Sequence, residues 1–285
     1  MNYWKACAAI LIAPFVATAA HAQDNPGVPA IPDEFLDFER RSGDRIVFCL
    51  NENSAIVEFD RAVSQAIADS LLLEAEFRIL SDIRPALPLD YRFTLSVNDM
   101  FVYLNNDCDV IMGYALPQIG AVPEWLIVSR PYFEPRFVLA VTNPDYERLE
   151  DIPSGAAVGS RLGTHADSRW RSFTRSSGNW EREVFSLNDG LLGALDDGAV
   201  EGAIIWEPAL YLAANEDPDL IGATPDSVPY TTAALPFELA PVQLAGAMKT
   251  DADFLRSLVD MAIEDLVASG AIEDMLEEFG LPPTR

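Results

Sequence analysis

Lysine is nearly absent from this 285-residue chain, occurring only as Lys5 and Lys249, and histidine is as scarce, at His21 and His165. So few histidines cannot build a multi-histidine metal site, and His165 has no motif that pairs it with a serine or cysteine nucleophile. Basic residues number 19 against 45 acidic ones, for a formal net charge of −26. Nucleic acid and anionic membrane would be repelled over the whole surface, whereas a basic protein partner would be attracted. Solubility or adaptation to salt accounts for such acidity equally well. The chain also lacks a glycine-rich phosphate loop, a nucleophile elbow and any pair of acids whose spacing marks an acid–base couple. The expectation is a protein without cofactor or metal, and not an enzyme.

The amino terminus has its own pattern. Lys5 supplies a positive start, residues 8–19 an apolar run, and Ala20-His21-Ala22 a small-x-small cleavage site. Residues 1–22 therefore read as a secretory signal cut before Gln23, and the run is too short for the roughly 20 residues a membrane span needs. Cys7 precedes the apolar run, the wrong place for lipid attachment, so a freely soluble periplasmic product is expected. Residues 23–42 are proline-rich and charged and form an N-terminal extension. Cys49 and Cys108 remain in an oxidising compartment, where a disulfide is the first thought. They flank two parallel core strands, one cysteine after its strand and the other before. Strands in register would hold them beyond the roughly 7 Å Cα limit of a bridge. A bridge and two separate core thiols both stay open.

Apolar periodicity gives strands at 45–50, 76–80 and 109–112, with helices at 60–73 and 96–105 between them. An apolar path at 125–128 and 136–141 ends at Asn143-Pro144. A second set follows, with strands at 156–159, 183–185 and 203–205 and helices at 164–173 and 189–195. Another apolar path at 239–248 leads to two terminal helices that stop at Gly270 and Gly280. Alternation of strand and helix implies parallel sheets in an α/β fold, and residues 23–285 suffice for two modest cores. No internal repeat is evident.

Several stretches in this order resemble the bacterial solute-binding protein family 3, of the polar amino-acid type. They are Glu58-Phe59-Asp60, residues 108–113 (Cys-Asp-Val-Ile-Met-Gly), 129–133 (Ser-Arg-Pro-Tyr-Phe), 158–164 (Val-Gly-Ser-Arg-Leu-Gly-Thr), the acidic-Gly-Ala-Ile-Ile segment from Glu201, and 271–280. The resemblance implies a two-lobed periplasmic binding protein of type II, with two α/β lobes joined by two crossing strands around a ligand cleft that closes by hinge motion. Residues 43–141 and 240–285 would form lobe one and 142–239 lobe two, with crossings at 137–142 and 239–247. A small-molecule ligand and an inner-membrane ABC permease would be the partners of a monomer.

The departures narrow the ligand. Family members that bind α-amino acids hold the carboxylate with an arginine seven residues before the Ser-x-x-Tyr segment, where this chain has Val122, and the ammonium with an aspartate where it has Trp206. Neither charged anchor is present, so the expected ligand is a small polar or aromatic molecule other than a standard α-amino acid. The cysteine placement and the Trp-x-Pro at 206–208 are similar to a branch of accessory proteins associated with quinoprotein (methanol or alcohol) dehydrogenases. That similarity implies the dehydrogenase or its cytochrome as an alternative partner.

Strand ends facing the cleft supply the candidate contacts. Trp206 would stack on a ligand or fill the space between the lobes. Glu207 would meet a ligand cation or serve the dipole of the helix that starts at Pro208. Thr164 and His165 stand at a helix N-terminus, where Thr164 also suits an N-cap. Asn51, Glu52 and Asn53 follow the first strand. Tyr114 and Arg130 complete the set, Arg130 either as a replacement carboxylate clamp or in a surface salt bridge.

Overall fold

The computed structural model describes residues 43–52, 54–83, 97–116, 122–216 and 230–284. The expected signal at 1–22, the extension at 23–42 and Asn53 lie outside the described residues.

The chain opens with strand β1 (Arg45–Leu50), whose residues are buried from Ile46 onward, as a central parallel strand covered on both faces requires. Helix α1 (Val57–Ser70) follows and buries Phe59, Val63 and Ile67 on one face. It begins three residues earlier than periodicity alone suggests, with Glu58 and Asp60 favourably placed in its positive first turn. Next come β2 (Glu74–Ile79), the short α2 (Leu80–Ile83), α3 (Val97–Asn106), β3 (Val110–Ala115) and β4 (Leu126–Val128). The second group comprises β5 (Phe137–Val141), β6 (Ala157–Arg161), α4 (His165–Ser177), β7 (Glu181–Phe185), α5 (Asn188–Asp196), β8 (Gly202–Trp206), α6 (Glu207–Glu216) and β9 (Thr231–Ala233). The described chain closes with β10 (Leu244–Lys249), α7 (Asp253–Ser269) and α8 (Ala271–Glu278). Gly178 and Gly270 end α4 and α7 in the left-handed conformation that glycine adopts without a Cβ penalty.

Two five-stranded sheets result, ordered β2-β1-β3-β10-β4 and β7-β6-β8-β5-β9. In each, three parallel strands meet an antiparallel fourth strand that arrives from the other half of the chain. The repetition lies in topology and left no trace in residue identities.

One boundary differs from the sequence reading. The division at 141/142 assigns β5 to the first lobe, but Phe137–Ala140 pair with Trp206–Ala203 of β8, inside the second sheet. β10 in turn lies wholly in the first sheet. The crossings therefore run at 129–136 and 234–243, ahead of both apolar strands, and a bridge pairs Phe133 of the first with Leu244 at the start of β10. Apolar runs marked the strands correctly but could not say which sheet each would join.

Cys49 and Cys108 form a disulfide with Cα atoms 5.7 Å apart. The argument from strand offset placed Cys49 after its strand, but Cys49 lies inside β1 opposite Ile111, and β3 starts only at Val110. Cys108 still belongs to the turn that closes α3, its N–H donating to the Tyr103 carbonyl at 3.0 Å. The chain is thus not extended between Cys108 and the strand, and it folds back over β1.

Cys49, Met100, Tyr103, Leu104 and Ile111 share one core cluster of the first lobe. Against α1, Phe59 meets Phe133 at 5.3 Å and Phe279 at 6.3 Å between ring centroids. The second lobe is filled on both sheet faces, by Leu191, Leu192, Leu195 and Ile205 on one and by Trp170, Trp180, Val158 and Ile204 on the other. Both sheets are thereby fixed, and their parallel strands end at a shared cleft.

Candidate ligand cleft

Open α/β sheets present ligands to the carboxyl ends of their strands, because the loops there are free of sheet pairing. Here the strand ends of both sheets line one cavity of about 290 Å³. The first lobe contributes Asn51 after β1, Ser54 and Ala55 from the following loop, and Gly113, Tyr114 and Ala115 from β3, above Leu80, Met100, Ile111 and Met112. The second contributes Arg161 at the end of β6, Thr164, Asn188 at the start of α5, Phe137 and Trp206. Val242 of the return crossing and Leu244 at the start of β10 complete the lining.

Phe137 and Trp206 are register partners at the ends of β5 and β8, and both line the cavity. Trp206 also packs against the cluster that holds Ile205, and Phe137 against the one that holds Ile204. The indole Nε1 of Trp206 is buried without a hydrogen-bond acceptor among the described residues. Arg161 is the one ionic side chain on the described lining. Burial lowers its guanidinium from the ordinary value, yet an arginine stays charged in any protein setting.

The turn after β6 is held by Thr164. Its hydroxyl donates to the Arg161 carbonyl at 2.9 Å and accepts from the Asp167 N–H at 3.0 Å, which makes Thr164 the N-cap of α4. Asp167 is turned inward. Its Oδ1 accepts from Arg182 Nη2 at 2.6 Å, Arg182 Nε at 2.8 Å and Ser160 Oγ at 2.9 Å, a set of charge-assisted bonds that keeps it off the cleft surface.

On the opposite wall, Gly113 connects the cleft to the first crossing. Its N–H donates to Tyr132 Oη at 3.0 Å, and the Tyr132 hydroxyl donates to Asp60 Oδ1 at 2.5 Å. Burial pushes the Asp60 carboxyl up to about 7 while the Tyr132 hydrogen bond pulls it down, so burial wins. Burial, and then the charge of Asp60, raise the Tyr132 phenol well above its usual range. Gly113 has φ +73, and a Cβ there would stand 2.6 Å from Asp60 Oδ2. Ser129 ties the start of the first crossing to β10 by accepting from the Gly246 N–H at 2.8 Å.

Of the residues expected at the site, Asn51, Tyr114, Thr164 and Trp206 line the cleft. Glu52 is exposed beside it and is not part of the lining. His165 begins α4 one residue past the lining and is lowered by burial and, next, by the Arg169 charge. For Arg130 and Glu207 the structure shows the alternative to a ligand contact, a surface salt bridge for the first and a place in the first turn of α6 for the second. Arg130 faces away from the cleft, its N–H donating to Asp260 at 2.7 Å and its guanidinium paired with Glu264 at 2.9 Å on α7. Glu207 is buried and accepts from Arg136 Nε at 3.2 Å and Nη2 at 3.4 Å, so it clasps the β5–β8 edge and does not line the cleft. Val122, at the expected carboxylate-clamp position, packs against the core cluster of the first lobe.

Arg161, Asn188 and Phe137 were missed. Arg161 stood inside the recognised 158–164 stretch, two residues past the strand expected at 156–159, and was missed because β6 runs on to it. Phe137 could be found only from its pairing with Trp206, which no local pattern records.

No protein-family model matches this chain, and no curated protein does. Among solved structures, it is similar to an amino acid ABC transporter substrate-binding protein, AbpA, from Streptococcus pneumoniae bound to L-arginine, at 21% identity and TM-score 0.56, covering 84% of this chain and 95% of that one. Substrate-binding domain 2 of GlnP from Lactococcus lactis, in an open conformation, matches at 15% identity and TM-score 0.60, over 84% of this chain and 95% of that one. A periplasmic binding protein of an arginine transport system from Legionella pneumophila matches at 15% identity and TM-score 0.53, over 82% and 99%. At these identities the likeness shows the fold, that of the two-lobed substrate-binding proteins of amino acid ABC transporters.

Proposed function

We propose that this chain is an exported solute-binding protein. It captures a small polar or aromatic molecule, other than a standard α-amino acid, between its lobes and delivers it to an inner-membrane ABC permease as a periplasmic monomer. The observation that carries this reading is the cleft itself, concave, mostly apolar, and supplied with a few polar groups by the strand ends of both lobes. The kinship of fold with amino acid transport components supports the transport role. The exclusion of standard amino acids rests on the described lining, which offers no carboxylate to an ammonium group. An ammonium desolvated without a partner costs several kcal/mol, of the order expected for any buried unpaired charge.

Thermal melting in the presence of periplasmic metabolite extract tests the capture step. A ligand at a hundred times its dissociation constant stabilises the folded state by about 2.7 kcal/mol. The melting temperature should rise with extract and should not rise in Trp206→Ala. A flat response, together with salt-sensitive retention of a quinoprotein dehydrogenase or cytochrome in a pull-down, would replace transport with the accessory role.

A further inference from the structure

Resting on delivery to a membrane partner, we propose that the exposed face of α4 is the surface on which that partner docks, and that the partner presents carboxylates to it. The first observation is a local reversal of charge. Acids outnumber basic residues 45 to 19 in the chain, yet the exposed residues of α4 are Ser168, Arg169, Arg171, Ser172, Arg175 and Ser176. At 3.6 residues per turn these six share one side of the helix, opposite Ala166 and Trp170 in the core.

Arg169, Arg171 and Arg175 have no ion-pair partner among the described residues. Arginines on the other helices are met by an acid one turn away, Arg61 by Glu58 on α1 and Arg256 by Asp253 and Asp260 on α7. On α4 the equivalent acid is Asp167, four residues before Arg171, and it is turned inward onto Arg182 and Ser160. Three guanidinium groups on one face are thereby left to solvent, in a molecule whose wider field is negative.

The helix itself does not explain them. Its dipole favours a cation in the last turn, which suits Arg175 but neither Arg169 nor Arg171. The positive field of this face reaches His165, which is lowered by burial and then by the charge of Arg169. Position supplies the link to delivery. α4 begins one residue after Thr164, a cleft-lining residue, so a partner on this face stands beside the cleft mouth.

A lipid surface fits this face poorly. A helix lying in a bilayer surface turns its apolar residues toward the acyl chains, and those of α4 are in the core. The formal charge of −26 would also be repelled by anionic headgroups. A planar guanidinium matches a carboxylate bidentately, so a few acids on a protein surface satisfy three arginines without bringing a whole negative sheet near.

Sedimentation with right-side-out inner-membrane vesicles from the exporting bacterium tests the assignment, in about 0.01 M salt, where the Debye length is about 30 Å. The exported protein should sediment with the vesicles. Substituting Arg169→Gln, Arg171→Gln and Arg175→Gln together should weaken this about 10- to 100-fold, as the loss of three partly screened pairs implies. Lysine at the same three positions should restore most of the binding. Arg45→Gln, Arg61→Gln and Arg148→Gln together remove the same charge elsewhere and should not weaken it. Vesicles whose carboxylates have been amidated with carbodiimide and glycinamide, and liposomes of the extracted lipids, should not retain the protein. The melting temperature checks the fold of each variant, and Arg171→Gln alone serves should the triple variant melt early. Full retention of the folded glutamine variant, full retention on amidated vesicles, equal retention on liposomes, or no retention of the unsubstituted protein each overturns the proposal. A melting temperature raised by metabolite extract without retention on vesicles removes this docking face and leaves capture in the cleft standing.

Discussion

Asp60→Asn should make the protein more stable at alkaline pH and change little near pH 5. Asp60 is buried in α1 with its carboxyl raised from 3.8 to about 7 by burial, against the opposing Tyr132 hydrogen bond. Because the folded state holds this proton more tightly than the unfolded state, stability from Asp60 is fully present below about pH 4 and is lost as the pH rises through about 7. A shift of about three units at roughly 1.4 kcal/mol each sets an upper bound of about 4 kcal/mol on the cost of ionising Asp60 in the fold. Asparagine keeps an oxygen for the Tyr132 hydroxyl and carries no charge. Its amide N–H groups, however, replace Oδ2 beside Gly113, and a buried donor without an acceptor costs about 1–3 kcal/mol. The net gain expected at pH 8 is therefore about 1–3 kcal/mol. Urea unfolding of both proteins from pH 5 to pH 8 supplies the test, since the difference between them removes the contribution of the other carboxylates. That difference should move in favour of Asp60→Asn as pH rises, with a slope approaching 1.4 kcal/mol per unit. A difference that stays constant across this range would refute the reasoning, because an ordinary carboxylate is already ionised at pH 5.

Gly113→Ala combines positive φ with a Cβ 2.6 Å from Asp60 Oδ2, and should cost about 2–5 kcal/mol in chemical denaturation; a loss below 1 kcal/mol would mean that the turn relaxes freely. Reduction of Cys49–Cys108 opens a loop with a sequence separation of 59 and should lower stability by about 4 kcal/mol on the loop-closure estimate. Alkylation of the unfolded, unreduced chain should find neither thiol free, and two free thiols would contradict the bridge.

The elements were legible because their signals are local. Buried parallel strands read as continuous apolar runs, α1 and α7 show an apolar face at helical spacing, and Gly270 is a helix stop written in a single residue, whereas Gly178, which ends α4 five residues later than expected, was not picked out. Sheet membership was less legible. Phe137–Val141 is apolar in either lobe, and only the antiparallel pairing with β8 decides that it belongs to the second. At the site, Trp206 and Thr164 were found from strand-end and N-cap logic, which depends on neighbours in sequence. Arg130 and Glu207 were left between two readings because their ion-pair partners, Glu264 and Arg136, are 134 and 71 residues distant, and charge patterning along the chain does not reach that far. Arg161 was passed over in favour of the glycine and threonine that shape its turn.

The central claim is that a small molecule is held between the lobes in the cleft that Trp206 lines. Native mass spectrometry of the exported protein after incubation with periplasmic extract tests it most directly. The account predicts one small-molecule adduct on the intact protein and its loss in a folded Trp206→Ala variant. No adduct, or one retained at equal occupancy in that variant, would contradict it.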